Sequence, residues 1–169
     1  YSLYSSTSTG IMYDNTAPAD ISYVNDGTGP DVDYWLNTNS LSANWAASVD
    51  SESGIKRYFI HIKDIFNTTI FDWTDVGVVL STTVSVGLTQ GVTYYFSVYG
   101  ENNVGLQSTG ISDGVFVDIT SPTAPVYVND GLEADERYSS SPDTLKANWN
   151  AATDTIIYPG SGIKSYLYA

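Results

Sequence analysis

Apolar and polar residues alternate along this chain in short runs. Leu41, Ala43 and Trp45 alternate with Ser42 and Asn44, and Tyr58, Ile60 and Ile62 alternate with Phe59, His61 and Lys63. Thr82, Val84, Val86 and Leu88 form a third run, and a fourth sets Tyr94, Phe96 and Val98 against Tyr95, Ser97 and Tyr99. In extended chain successive side chains point to opposite faces, so a period of two predicts half-buried strands. Clusters of Gly, Asn, Asp and Pro, the residues that turns require, separate the runs. No window long enough for a helix carries a helical period. Short strands at intervals of roughly 10–15 residues predict an all-β, antiparallel sandwich.

The pattern recurs. Asp14-Asn15-Thr16-Ala17-Pro18 returns as Asp118-Ile119-Thr120-Ser121-Pro122, 104 positions on. At the same offset Tyr23-Val24-Asn25-Asp26-Gly27 returns as Tyr127-Val128-Asn129-Asp130-Gly131, and Leu41-Ser42-Ala43-Asn44-Trp45 as Leu145-Lys146-Ala147-Asn148-Trp149. Gly10 to Asp14 matches Gly114 to Asp118 in the same way. The offset becomes 108 between Gly54-Ile55-Lys56 and Gly162-Ile163-Lys164, which places a four-residue insertion around Ile156 to Ser161. Internal repetition on this scale predicts one supersecondary unit used in series. Residues 1–13 are expected to be the last strand of a preceding copy, 14–117 one complete domain, and 118–169 the N-terminal half of the next.

Within the complete copy, Leu88-Thr89-Gln90-Gly91-Val92-Thr93-Tyr94 resembles the tyrosine corner of the fibronectin type III domain. There a Leu, a Gly three residues on and a Tyr six residues on turn the chain between the two sheets, and the hydroxyl bonds backbone. Trp45 matches the core Trp of that family's second strand and Tyr58 the aromatic of its third. The flavour resembles the tandem repeats of large bacterial surface and secreted proteins, with an Asn-Asp-Gly turn and a Ser-Gly-Ile segment. The resemblance implies tandem fibronectin type III sandwiches serving as spacer or interaction platform. Gly100 to Gly105 holds no Arg-Gly-Asp, so integrin binding has no support.

Charge narrows the partners. Lys+Arg total 6 and Asp+Glu 19, a net charge of -13, so nucleic acid and anionic membrane would repel the chain. No segment approaches the roughly 20 apolar residues of a membrane-spanning helix. There is no cysteine, so the fold must rest on a packed core and not on disulfides. Catalysis finds no constellation. The single histidine, His61, sits on the outward phase of its strand and is expected at the surface, with no base–orienter pair around it. No phosphate-binding glycine loop or metalloprotease motif is present. The chain is read as no enzyme, with no catalytic or cofactor-binding residues and no required cofactor.

Acidic residues raise the question of calcium. Asp26, Asp31 and Asp33 cluster in the turn after the first strand, expected to face a neighbouring domain where Asp118 and Asp154 would lie. Asp50 and Glu52 would serve the equivalent upstream joint. Carboxylates converging on one point repel unless a hard cation bridges them. The plainer alternative is that Asp-Gly and Pro-Asp are ordinary turn residues. Aromatics raise a second question. Tyr95, Tyr99 and Phe59 stand on the outward phase, and Trp35 and Trp73 are expected in loops, where rings stack on sugars or proteins. Cross-strand pairs that stabilise the sheet are the alternative. Asn67-Thr68-Thr69 fits a glycosylation sequon.

The reading that follows is a structural or adhesive repeat of an extracellular or cell-surface bacterial protein. Its partners would be other proteins, further copies along the array, or a polysaccharide. Residues 1–13 could complete the half-domain of another copy by strand addition. Alternatives are an accessory module of a secreted polysaccharide-active enzyme and a subunit of an extracellular filament or sheath.

Overall fold

The computed structural model describes residues 9–154 and 160–168, and these separate into two units with the division after Val117. Among the described residues, nine strands build the first unit. They are β1 (Val24–Asp26), β2 (Tyr34–Trp35), β3 (Ser40–Trp45), β4 (Ile55–Asp64), β5 (Thr69–Gly77), β6 (Ser81–Ser85), β7 (Thr93–Asn102), β8 (Gln107–Ile111) and β9 (Val115–Val117). One sheet has the order β1-β3-β6. The other has the order β2-β9-β7-β4-β5, with β8 also on β7. Every pairing is antiparallel except β2 with β9, where Tyr34 and Trp35 run parallel to Phe116 and Val117.

The alternation predicts the core. Leu41, Ala43 and Trp45 from β3, Tyr58, Ile60 and Ile62 from β4, and Tyr94, Phe96 and Val98 from β7 are all buried. They pack with Ile21, Val24, Leu88, Val115 and Val117 in one cluster. Trp45 and Tyr58 meet with ring centroids 6.0 Å apart and planes at 59°. Each sits on a different sheet. The Tyr58 hydroxyl accepts the Ser48 N–H at 2.9 Å, which fixes the chain leaving β3. At the far turn the Tyr94 hydroxyl accepts the Thr89 N–H at 2.8 Å, and Leu88 is buried, so the tyrosine corner forms as the resemblance implies.

The second unit repeats these local features. Strands β10 (Val128–Asp130) and β11 (Ala147–Trp149) pair Val128 with Trp149, Asn129 with Asn148 and Asp130 with Ala147. In β1 and β3 the pairs are Val24 with Trp45, Asn25 with Asn44 and Asp26 with Ala43. Trp149 and Tyr166 lie 5.7 Å apart, and the Tyr166 hydroxyl accepts the Ala152 N–H at 2.8 Å, as Tyr58 accepts Ser48.

Two expectations need correction. Trp73 stands inside β5 and Trp35 inside β2, not in loops. The Trp35 ring packs on the core and its indole N–H donates to the Ser40 carbonyl at 2.7 Å. Residues 9–13 carry no strand, and Ile11, Met12 and Tyr13 are exposed; the expectation that 1–13 close a preceding copy is not decided by them. Residues 1–8 of the expected strand, and residues 156–159 of the expected insertion, lie outside the described residues.

Trp45 carries the inter-sheet contact, so Trp45→Ala is expected to cost about 3–5 kcal/mol, the range for emptying a large aromatic site. Tyr94→Phe keeps the ring and removes one hydrogen bond, with an expected cost of about 1 kcal/mol. Urea denaturation of the 169-residue chain measures both.

Candidate functional site

Three regions outside the apolar core gather polar or aromatic chemistry. The first lies where β1 runs into its turn. Asp26 ends β1 opposite Ala43 and shares the inward phase of Val24, so its carboxylate points into the protein. It is 0% exposed, and neither oxygen has a hydrogen-bond partner. The Asn44 amide holds the turn by donating to the Gly27 and Gly29 carbonyls at 2.9 and 2.7 Å. Gly27 has φ +93 and lies against the Trp35 ring. That turn brings Asp31 back, and its Oδ1 accepts the Asp26 N–H at 2.7 Å.

The third carboxylate comes from the far end of the domain. The last stretch of strand is interrupted between β8 and β9 at Ser112, Asp113 and Gly114. Ser112 N–H donates to the Phe96 carbonyl at 2.9 Å, and its hydroxyl accepts the Phe96 N–H at 3.0 Å. Gly114 has φ +100, and a Cβ there would stand 2.5 Å from the Tyr95 ring, so no other residue fits this break. A break of this kind re-aims a side chain. Here it places Asp113 with Asp26 and Asp31, one oxygen from each within 4.8 Å of the others. Burial pushes the Asp26 carboxyl up to about 7. The nearby Ser112 hydroxyl and Gly114 N–H pull it down, and the charges of Asp31 and Asp113 push it further up. Asp33, expected in this group, is exposed and outside it.

The second region centres on Asn102, which is fully buried at the end of β7. Its amide donates to Asp14 Oδ2 at 3.0 Å, Asp50 Oδ2 at 2.9 Å and the Thr16 carbonyl at 3.1 Å. Its Oδ1 accepts the Val104 and Leu106 N–H groups at 3.1 and 2.8 Å. Asp50 Oδ1 accepts the N–H groups of Glu52, Ser53 and Gly54. The Asn102 amide, then these N–H groups, hold Asp50 below the usual carboxylate value against the cost of burial. The Ser53 hydroxyl and the Thr16 N–H do the same for Asp14. Glu52 accepts the Thr16 hydroxyl. Asp14 and Asp50 are thus answered by protein donors. In the second unit Asp118 accepts the Thr120 and Ser161 N–H groups at 3.1 and 3.0 Å, and Asp154 accepts the Ser161 hydroxyl at 2.9 Å.

The third region is the outward face of β4, β5 and β7. Phe59 and Tyr99 stack at 4.6 Å, Trp73 lies 4.8 Å from Tyr99, and Arg57 covers Phe59 at 4.7 Å. Arg57 also donates to Glu101 at 2.8 and 3.0 Å and to Asp75 at 3.1 Å. The expectation of a surface histidine is wrong. His61 does point outward from the core, but Trp73 stacks on it at 5.0 Å and leaves it 4% exposed. Burial, then the Lys63 charge, lower its pKa, with Asp72 opposing. Tyr95 covers the Gly114 break. These rings chiefly pair across strands, and Trp73 remains 43% exposed. Asn67 of the sequon is exposed, with φ 65, in the turn between β4 and β5.

No protein-family model and no curated protein matches the chain. Among solved structures it is similar to the sixth fibronectin type III domain of human fibronectin type III domain containing protein 3, at 15% identity and TM-score 0.48. That match covers 66% of this chain and 97% of the other. It is also similar to the FN1–FN3 domains of chicken CNTN1, at 19% identity and TM-score 0.42, over 67% of this chain and 37% of that one. The twitchin kinase region from C. elegans matches at 16% identity and TM-score 0.46, over 71% of this chain and 20% of its own length. The fibronectin type III-like character of the fold rests on the two-sheet topology and the tyrosine corner described above.

Asp14 and Asp50 give stability above the ordinary value of 3.8 that is lost as pH falls through their depressed values. Asn102→Asp keeps the acceptor for Val104 and Leu106 but sets a third carboxylate against these two. Its melting temperature is expected to fall most at pH 7 and to approach wild type near pH 3, the reverse of wild-type behaviour. Thermal melts across that range check it.

Proposed function

We propose that this chain is a non-catalytic structural or adhesive segment of an extracellular bacterial protein, built from fibronectin type III-like repeats in tandem. One observation carries the reading. The Val-Asn-Asp strand, its pairing with the Ala-Asn-Trp strand, and the Tyr hydroxyl bonded to a backbone N–H occur in both units with the same partners. The Asn44 amide bonds Gly27 and Gly29, and the Asn148 amide bonds Gly131 and Glu133 in the same manner. Reusing one joint-and-sandwich plan along a chain yields modules whose neighbours set spacing and stiffness. The acidic surface keeps such an array soluble and apart from nucleic acid. Protein contacts and self-association along the array are the partners this reading favours.

A second reading, an accessory module of a polysaccharide-active enzyme, is favoured by Trp73, whose ring is stacked on His61 yet partly open. Antibodies to the chain are expected to label unpermeabilised producing cells or their medium; label confined to the cytosol contradicts the proposal. Pull-down on insoluble polysaccharides separates the two readings. The spacer reading expects no retention, whereas retention abolished in Trp73→Ala establishes the accessory module.

A further inference from the structure

We propose that Asp26, Asp31 and Asp113 form a site for one hard divalent cation of the calcium class, lying wholly within the first unit. Three observations converge on it. The first is geometric. One oxygen from each carboxylate lies within 4.8 Å of the other two. Calcium binds oxygens at about 2.3–2.6 Å, so ligands in one shell stand up to about 5 Å apart, and all three fit around one ion. The second is the state of Asp26. Its side chain is fully buried and aimed into the group, and both of its oxygens lack any hydrogen-bond partner. Buried polar groups are almost always satisfied, and an unanswered one calls for a missing partner. A single cation answers Asp26 and both flanking carboxylates together, which one proton on Asp26 does not. The third is the donor set. It holds oxygens alone, with no His or Cys, which selects hard ions over zinc or copper.

Local structure holds the three carboxylates together. The Asp26 N–H bond positions Asp31, the Asn44 clamp holds the turn between Asp26 and Asp31, and the Gly114 break sits beside Asp113. Asp31 and Asp113 are exposed, so an ion enters from solvent and Asp26 forms the floor. The second unit repeats two of the three positions. Asp130 N–H donates to Asp135 Oδ1 at 3.1 Å, as Asp26 does to Asp31. Thr9 stands 104 positions before Asp113, so the third carboxylate is not shared by every copy. The site differs from the arrangement expected from sequence, which joined Asp26 and Asp31 to Asp33, Asp118 and Asp154. A bound ion would tie the first strand to the last and stiffen that end of the module.

The test uses the whole chain, stripped with chelator and held at fixed ionic strength. Calcium at about a hundredfold above its dissociation constant is expected to raise the melting temperature by about 10 °C. Terbium, a calcium surrogate, is expected to show emission sensitised by Trp35, whose ring packs on Gly27 beside Asp26. Asp113→Asn, at an exposed position, is expected to fold normally and bind about tenfold more weakly or worse. Asp33→Asn, outside the group, is expected to bind as wild type. Asp26→Asn removes the buried charge, so it is expected to raise the melting temperature in chelator and to abolish the calcium response. No thermal shift up to about 10 mM calcium, well above the weak extracellular range, overturns the site. An equal response in wild type and Asp113→Asn, or a response surviving in Asp26→Asn, overturns it too.

Discussion

The contact between Trp45 and Tyr58 is the interaction on which the rest of this structure depends. Each ring belongs to a different sheet, so their contact sets how the sheets meet. The Tyr58 hydroxyl then captures the Ser48 N–H and pins the chain as it leaves β3. Side chains on either side, Leu41 and Ala43 on β3 and Ile60 and Ile62 on β4, are buried because the same alternation carries them inward. With no cysteine in the chain, this packing and the Tyr94 corner join the sheets without a disulfide. The recurrence of the Trp–Tyr pair in the second unit marks it as the reused element.

The polar ends of the module follow from the same registers. Pairing of Asp26 with Ala43 puts a carboxylate on the inward face at the edge of the apolar core. Its ionised form is costly there, which is why burial drives its pKa toward neutrality. At the end of β7 the opposite solution appears. Asn102 is buried and neutral, and its amide donates to both Asp14 and Asp50; it holds the Asp50 carboxyl low, while the Ser53 hydroxyl and Thr16 N–H do so for Asp14. One region answers its carboxylates with protein donors, and the other leaves both oxygens of its buried Asp26 unanswered. That difference, not the number of acidic residues, distinguishes a structural clamp from a ligand site.

Much of the fold was legible in the residues because it depends on local periodicity. The inward phases of β3, β4 and β7 were read directly from alternation, and the corner from Leu88, Gly91 and Tyr94. The misreadings have a common cause. His61 has the outward phase, but its burial comes from Trp73 on β5, a strand whose sequence mixes Asp72, Thr74 and Asp75 and shows no alternation. Trp35 pairs in parallel with a strand far along the chain, which no local pattern announces. Asp113 joins Asp26 only because β1 and the last strand meet at one end of the sandwich, and because Gly114 breaks the strand beside it. The Ser112-Asp113-Gly114 triplet was itself a signal, since Asp-Gly inside a strand pattern marks a bulge or turn. Asn102 gave none, because its role depends on two segments brought beside it by the fold.

The central claim is that one inter-sheet core, centred on Trp45 and Tyr58, organises residues 14–117 as a cooperative sandwich. Native-state hydrogen exchange on the whole chain tests it most directly. The account predicts that the slowest amides lie in β3, β4 and β7 and include the Ser48 N–H held by Tyr58, all exchanging through one common opening. Rapid exchange at Ser48, or protection of β3 that is lost independently of β4 and β7, would contradict it.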